Sequence, residues 1–125
     1  MRDFEVNGFL FSLPIWTVFR GLEQYADGTV RFAGYATCNV GAHRSLCLFT
    51  DTDLAHSHRE AMIEMLSTTD LCVGRFSEVP HLVRFLNKVQ TWGVGHVVFD
   101  IASATGRIAQ FVAIEDLVGV LSDGL

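Results

Sequence analysis

The chain has 125 residues, half of them hydrophobic and only 18% charged, with a formal net charge of −5. That length fits one cored domain and is too short for two, so residues 1–125 are read as a single domain. The acidic balance, with one lysine (Lys88) and eight scattered arginines, excludes the basic stripe that a nucleic-acid binder needs and offers nothing to an anionic membrane surface.

Residues 8–22 are apolar and irregular, interrupted by Pro14. Within them, Ile15-Trp16-Thr17-Val18-Phe19 is rich in aromatic and β-branched side chains and predicts a strand, with a short helix behind Pro14 as the alternative. Tyr25-Ala26-Asp27-Gly28 predicts a turn, and residues 30–37 predict the strand that returns from it. Residues 39–43 read as a loop. Ser45-Leu46-Cys47-Leu48-Phe49-Thr50 is almost continuously apolar and predicts a strand inside a sheet. Asp51 or Thr52 is then placed to cap a helix over 54–66. Leu54, His58, Ala61, Met62, Met65 and Leu66 follow one side of it, and Arg59, Glu60 and Glu64 face elsewhere.

Residues 71–76 predict another short strand. Ser77 is read as the N-cap of the next helix, whose first turn tolerates Glu78 and Pro80 and whose apolar stripe is Leu82, Phe85, Leu86 and Val89. Gly93 and Gly95 mark its exit. Residues 96–101 predict a strand, 102–107 a turn, and 108–113 a strand closing a hairpin. A last helix opens at Ile114 or Glu115 and carries Leu117, Val118 and Leu121, with Glu115 and Asp116 at its positive end. This order predicts an α+β or α/β fold, a single mixed β-sheet with about three helices packed on it. The middle reads as a βαβαβ unit, with a hairpin added at the start.

Three cysteines, Cys38, Cys47 and Cys72, cannot all pair within the chain; they are read as free thiols in a reducing, cytoplasmic setting. There is no apolar run long enough to span a bilayer, and the early acidic residues Asp3 and Glu5 do not suit a secretory signal. His56 and His58 are two residues apart and do not share a helix face, whereas a helical zinc pair needs i and i+4. No cysteine pair has zinc spacing, so no metal is assigned. The turns at Gly93-Val94-Gly95, Asn39-Val40-Gly41 and Gly106 match no phosphate-binding loop, so no cofactor is assigned.

Two candidate ligand sites remain. Cys38 follows a strand and enters a glycine-containing loop, where His43 could act as the base that a thiol nucleophile needs. Asp51 and Asp100 follow or end predicted strands; were those strands parallel, the two carboxylates would meet at the carboxyl edge of the sheet, where α/β proteins place ligands. Helix capping is the competing reading for Asp51. Among the aromatics, Trp92 at a helix end and Trp16 are the candidates for an interaction surface.

The stretch Leu46-Cys47-Leu48-Phe49-Thr50-Asp51-Thr52-Asp53-Leu54-Ala55 resembles the opening of SseB-like N-terminal domains: apolar strand, Phe-Thr, acidic residue, helix. Val97-Val98-Phe99-Asp100, continued through Ile114-Glu115-Asp116-Leu117, is similar to that family's last strand, turn and closing helix. With the elements between them, these cover about half of the chain. Where the family carries Asn-Pro after the late strand, this chain has Asp100-Ile101. The resemblance implies a small α/β domain with regulatory or interaction roles and transfers no catalytic residue.

The expectation for function is a non-enzymatic or accessory domain that binds a protein partner or itself. A chain this poor in charge has little with which to cover an apolar surface, which points to a homodimer or a partner face. The alternative is a small enzyme or ligand-binding domain using Asp51 and Asp100 or the pair Cys38 and His43.

Overall fold

A computed structural model describes residues 3–24, 30–35, 37–67, 70–102 and 104–123, with backbone only for 21–24 and 30–35. The expected turn at 25–28 lies outside the described residues. Asn7 and Gly8 take positive φ (50° and 86°), the backbone that a two-residue hairpin turn demands. They join β1 (Asp3–Val6) to β2 (Phe9–Ser12) in antiparallel register, Phe4 opposite Phe11 and Val6 opposite Phe9. These four side chains share one face of the hairpin. Phe9 and Phe11 meet Phe99 at ring-centroid distances of 4.8 and 5.4 Å. The segment expected to be irregular from residue 8 is thus regular over β2.

β3 (Ile15–Gln24) is the strand expected behind Pro14, extended to ten residues. Its first half pairs antiparallel with β7 (Leu71–Phe76), and its second half with β4 (Val30–Tyr35). β5 (Thr37–Val40) and β6 (His43–Leu48) form a hairpin across Gly41 and Ala42, so most of the expected loop at 39–43 is strand. β6 then pairs in parallel with β8 (His96–Phe99), which pairs antiparallel with β9 (Gln110–Ala113).

The fold is α+β, with three helices among the described residues, α1 (Thr52–Leu66), α2 (Val79–Thr91) and α3 (Ile114–Ser122). The mixed sheet is β5-β6-β8-β9; the group β4-β3-β7 and the hairpin β1-β2 stand beside it as separate ladders. A single antiparallel bridge between Trp16 and Phe49 ties the first two groups together, each amide donating to the other residue's carbonyl at 2.8 Å. The βαβαβ expectation is corrected in one respect. β6 and β8 are parallel neighbours, but β7 between them in sequence leaves for β3 and runs antiparallel to it.

Strands β3 and β6 are covered on both faces. Ile15, Leu46 and Leu48 point into the larger core, with Leu82, Leu86, Val97, Leu117 and the β1–β2 aromatics. Val18, Cys47 and Phe49 point the other way, into a second core closed by Ala55 of α1 and flanked by Trp16, Met62 and Val73. Alternation along a strand produces this division. Two helix starts show how local chemistry decides. Asp51 caps α1, its Oδ1 accepting the Asp53 amide at 2.8 Å. α2 instead starts behind Glu78 without a side-chain cap, so the N-cap expected at Ser77 is not formed. Its stripe of Leu82, Phe85, Leu86 and Val89 is buried as the periodicity predicts.

Candidate functional site

The parallel pairing of β6 with β8 ends at Leu48 opposite Phe99, which sets Thr50, Asp51 and Asp100 at one edge of the sheet. The structure therefore brings the expected carboxylates to a common edge, but gives each a structural partner. Asp100 has φ of 55°, and its amide donates to Leu48 O at 2.9 Å. Its Oδ1 accepts the Thr50 amide at 2.7 Å, and its Oδ2 accepts the Thr50 hydroxyl at 2.5 Å. A carboxylate accepting a backbone amide and a hydroxyl from the same residue is a clamp between strand ends. Asp51 caps α1. Both carboxylates thus have structural tasks at this edge, Asp100 holding Thr50 and Asp51 capping α1 through Oδ1.

Cys38 and His43 lie in one hairpin, Cys38 opposite Ser45 and Val40 opposite His43. Their contacts go elsewhere. The His43 ring lies 4.3 Å from His96 and 5.8 Å from Phe111, and His96 stacks on Phe111 at 4.8 Å. Cys38 shares a thiol hydrogen bond with Cys47, which lowers the Cys38 pKa to about 7 against the opposing effect of burial. The same contact and burial push the Cys47 thiol up. Cys38 and His43 share one face of the hairpin by alternation, but the described contacts do not join them: the imidazole meets His96 and Phe111, and the Cys38 thiol meets Cys47.

Of the aromatic candidates, Trp16 is half-buried and packs against the second core beside its bridge to Phe49. Trp92 closes α2 and is 45% exposed. His56 is exposed and His58 half-buried, its ring 5.4 Å from Phe49; burial holds its pKa below the ordinary value. Among the described residues, no three His, Cys, Asp or Glu side chains converge as metal ligands. Nor is any described helix long and apolar enough to cross a membrane.

Sequence reading missed a groove beside the Asp100 edge. Beyond Asp100 the chain turns back on itself, with Gly106 N donating to Ala102 O at 2.7 Å and Ala102 N to Arg107 O at 2.8 Å. This turn stands against the outer side of α1 and leaves an open groove of about 640 Å³. Leu54, Ser57, Ala61 and Glu64 form one stripe along it at helical spacing, joined by Glu60 and Ile63. The opposite wall is built from Ala102 and Ala104, whose small side chains leave the space open. Both charged residues of this lining are glutamates. Arg59 lies beside them, its Nε donating to Leu71 O at 2.6 Å and its Nη1 paired with Glu60 Oε1 at 3.4 Å. The readable signal was in α1 itself, which has more apolar positions than one face can hold. Leu54 and Ala61 lie off the side that carries Ala55 and Met62.

No protein-family model matches the chain, and no curated protein matches it.

Proposed function

We propose that this chain is a non-enzymatic protein-interaction domain that docks a basic, amphipathic segment of another protein along the outer side of α1. The observation that carries this reading is the groove between α1 and the 102–107 turn, apolar along Leu54, Ala61 and Ile63 and edged by Glu60 and Glu64. An amphipathic helix laid in such a groove buries its apolar side, and its Lys or Arg residues meet the two glutamates. Exposed Met65 (73%) and Leu66 (53%) extend the apolar surface past the groove's end. The candidate reactive groups at the sheet edge support a binding role over chemistry, since Asp51 and Asp100 are engaged as cap and clamp. A second copy of this chain is the less favoured occupant, because the acidic rims would face each other. The likeness to SseB-like N-terminal domains and a cytoplasmic, reducing setting belong to the same proposal.

Titration with a model amphipathic helix of leucine and lysine tests it, with the leucine–glutamate counterpart as control. Amide shifts should concentrate in α1 and in residues 104–107. Binding should weaken on adding salt and in the double variant Glu60→Lys, Glu64→Lys. Shifts spread over the whole surface, equal binding of the acidic peptide, or concentration-dependent dimerisation of the free chain by light scattering would each overturn the reading.

A further inference from the structure

Cys38 and Cys47 sit on the β5–β6 hairpin, where Cys38 is opposite Ser45. Side chains alternate along strands, so Cys38, Ser45 and Cys47 share one face, and Cys38 and Cys47 are diagonal neighbours. Cys47 is fully buried in the second core, and Cys38, half-buried, packs against that same cluster from its rim. Cys47 is placed to donate a hydrogen bond to the Cys38 sulfur, which favours the Cys38 thiolate over that of Cys47. The two sulfurs therefore differ. The rim sulfur is the one that reagents reach and that the bond favours as thiolate, its pKa about 7. The core sulfur keeps its proton and is shielded. Cys72, the third cysteine, is exposed on β7 and belongs to the other strand group.

We propose that Cys38 and Cys47 form a peroxide-oxidisable dithiol, with Cys38 as the attacking sulfur and Cys47 as the resolving one. The Cys38 thiolate attacks one oxygen of hydrogen peroxide. The O–O bond breaks, hydroxide leaves and takes up a proton as water, and Cys38 becomes a sulfenic acid. Cys47 sulfur then attacks the Cys38 sulfur. The S–O bond breaks, the departing hydroxide takes the Cys47 proton as a second water, and the S–S bond forms. In sum, two thiols and one peroxide give one disulfide and two waters. Diagonal neighbours in an antiparallel pair lie ~7–8 Å apart at Cα, just beyond the usual disulfide span of ~4.4–6.8 Å, so the backbone must shift for the bond to close. Closing the bond slides β5 along β6, since the paired strands already stand at ladder distance. β5 is an edge strand of its sheet and has only that one ladder to carry with it. A disulfide formed under such tension is readily reduced, so the modification is reversible by ordinary thiols.

The test uses the full chain, reduced, exposed to hydrogen peroxide and then alkylated and mapped by mass spectrometry. The expected product is a Cys38–Cys47 linked peptide, with Cys72 still alkylated and the link lost on adding dithiothreitol. In Cys47→Ala the Cys38 sulfenic acid should persist long enough for dimedone to trap it, whereas Cys38→Ser should leave Cys47 unoxidised. Oxidation of Cys72 ahead of Cys38 would overturn the proposal. So would conversion of Cys38 in the wild-type chain to sulfinic acid with no linked peptide, or unchanged oxidation of Cys47 in Cys38→Ser. The wild-type map decides the question even if Cys47→Ala fails to fold.

Discussion

Substitution of Asp100 separates a clamp from an active-site acid. Its carboxylate accepts the Thr50 amide and hydroxyl at 2.7 and 2.5 Å. Hydrogen bonds to a charged group are each worth ~1.5–3 kcal/mol, and at this half-buried edge water recovers part of that, which leaves about 2 kcal/mol for the pair. The backbone adds a second effect. Asp100 has φ of 55°, a conformation that costs an ordinary L-residue ~1–2 kcal/mol but that Asp, Asn and Gly adopt readily. Asp100→Ala loses both contributions and should cost about 3–4 kcal/mol. Asp100→Gly keeps the backbone and loses the carboxylate, about 2 kcal/mol. Asp100→Asn keeps the backbone and one acceptor and should cost about 1 kcal/mol. Equilibrium unfolding in urea, followed by tryptophan fluorescence with the m-value checked for constancy, measures all three. The reasoning fails if Asp100→Ala unfolds within ~0.5 kcal/mol of wild type, the range of an ordinary surface change. It fails equally if Asp100→Gly is as damaging as Asp100→Ala.

Two further perturbations probe the packing around α1 and β3. A Cβ on Gly74 would lie 2.7 Å from Phe19 Cε1 and 3.1 Å from Cδ1, so Gly74→Ala should destabilise by ~1–3 kcal/mol, the usual cost of overpacking. Adding Phe19→Leu should recover part of that loss, and strictly additive losses in a double-mutant cycle would show that the two side chains do not collide. His58 is held neutral by burial, its pKa lowered from 6.5, so the unfolded chain takes up that proton first as pH falls. Stability should therefore drain away below pH 6.5, down to the lowered folded value, and His58 should contribute no pH dependence above 6.5. In His58→Gln that part of the slope should vanish; wild-type and variant stability curves that stay parallel from about pH 8 to pH 5 would contradict it.

Local signals were legible where one residue pattern has one solution. The α2 stripe, the strand at 71–76 and the cap at Asp51 all follow from spacing and side-chain chemistry close by in sequence. Asn7-Gly8, flanked by Phe4, Val6, Phe9 and Phe11, is a hairpin signal of the same quality, hidden by the irregular apolar composition around it. The partner of β7 was not legible. Residues 71–76 are a short apolar run between two helices, which suits a parallel place beside β6 as well as the antiparallel place it takes on β3. Asp100 was found at the correct edge for a reason that holds, the parallel pairing of β6 and β8. Its task depends on how Thr50 is presented across 50 residues of chain, which no local pattern encodes.

The two long helices differ in how far the fold covers them. α2 buries Leu82, Phe85, Leu86 and Val89 within 13 residues, and tertiary packing of that kind is what holds most protein helices together. α1 has 15 residues and buries Ala55 alone. Its contacts with the second core are half-buried side chains such as Met62 and Ile63, and its ties to the rest of the chain include the Asp51 cap and the Arg59 bond to Leu71 O. A helix of this length is marginal on its own in water. An apolar segment laid in the groove would complete the burial of Leu54 and Ala61, which the fold leaves half-buried, and its binding energy would add to the stability of α1 through mass action. The low charge of the whole chain and the open side of this one helix then support the same proposal, that a partner covers the surface left dry.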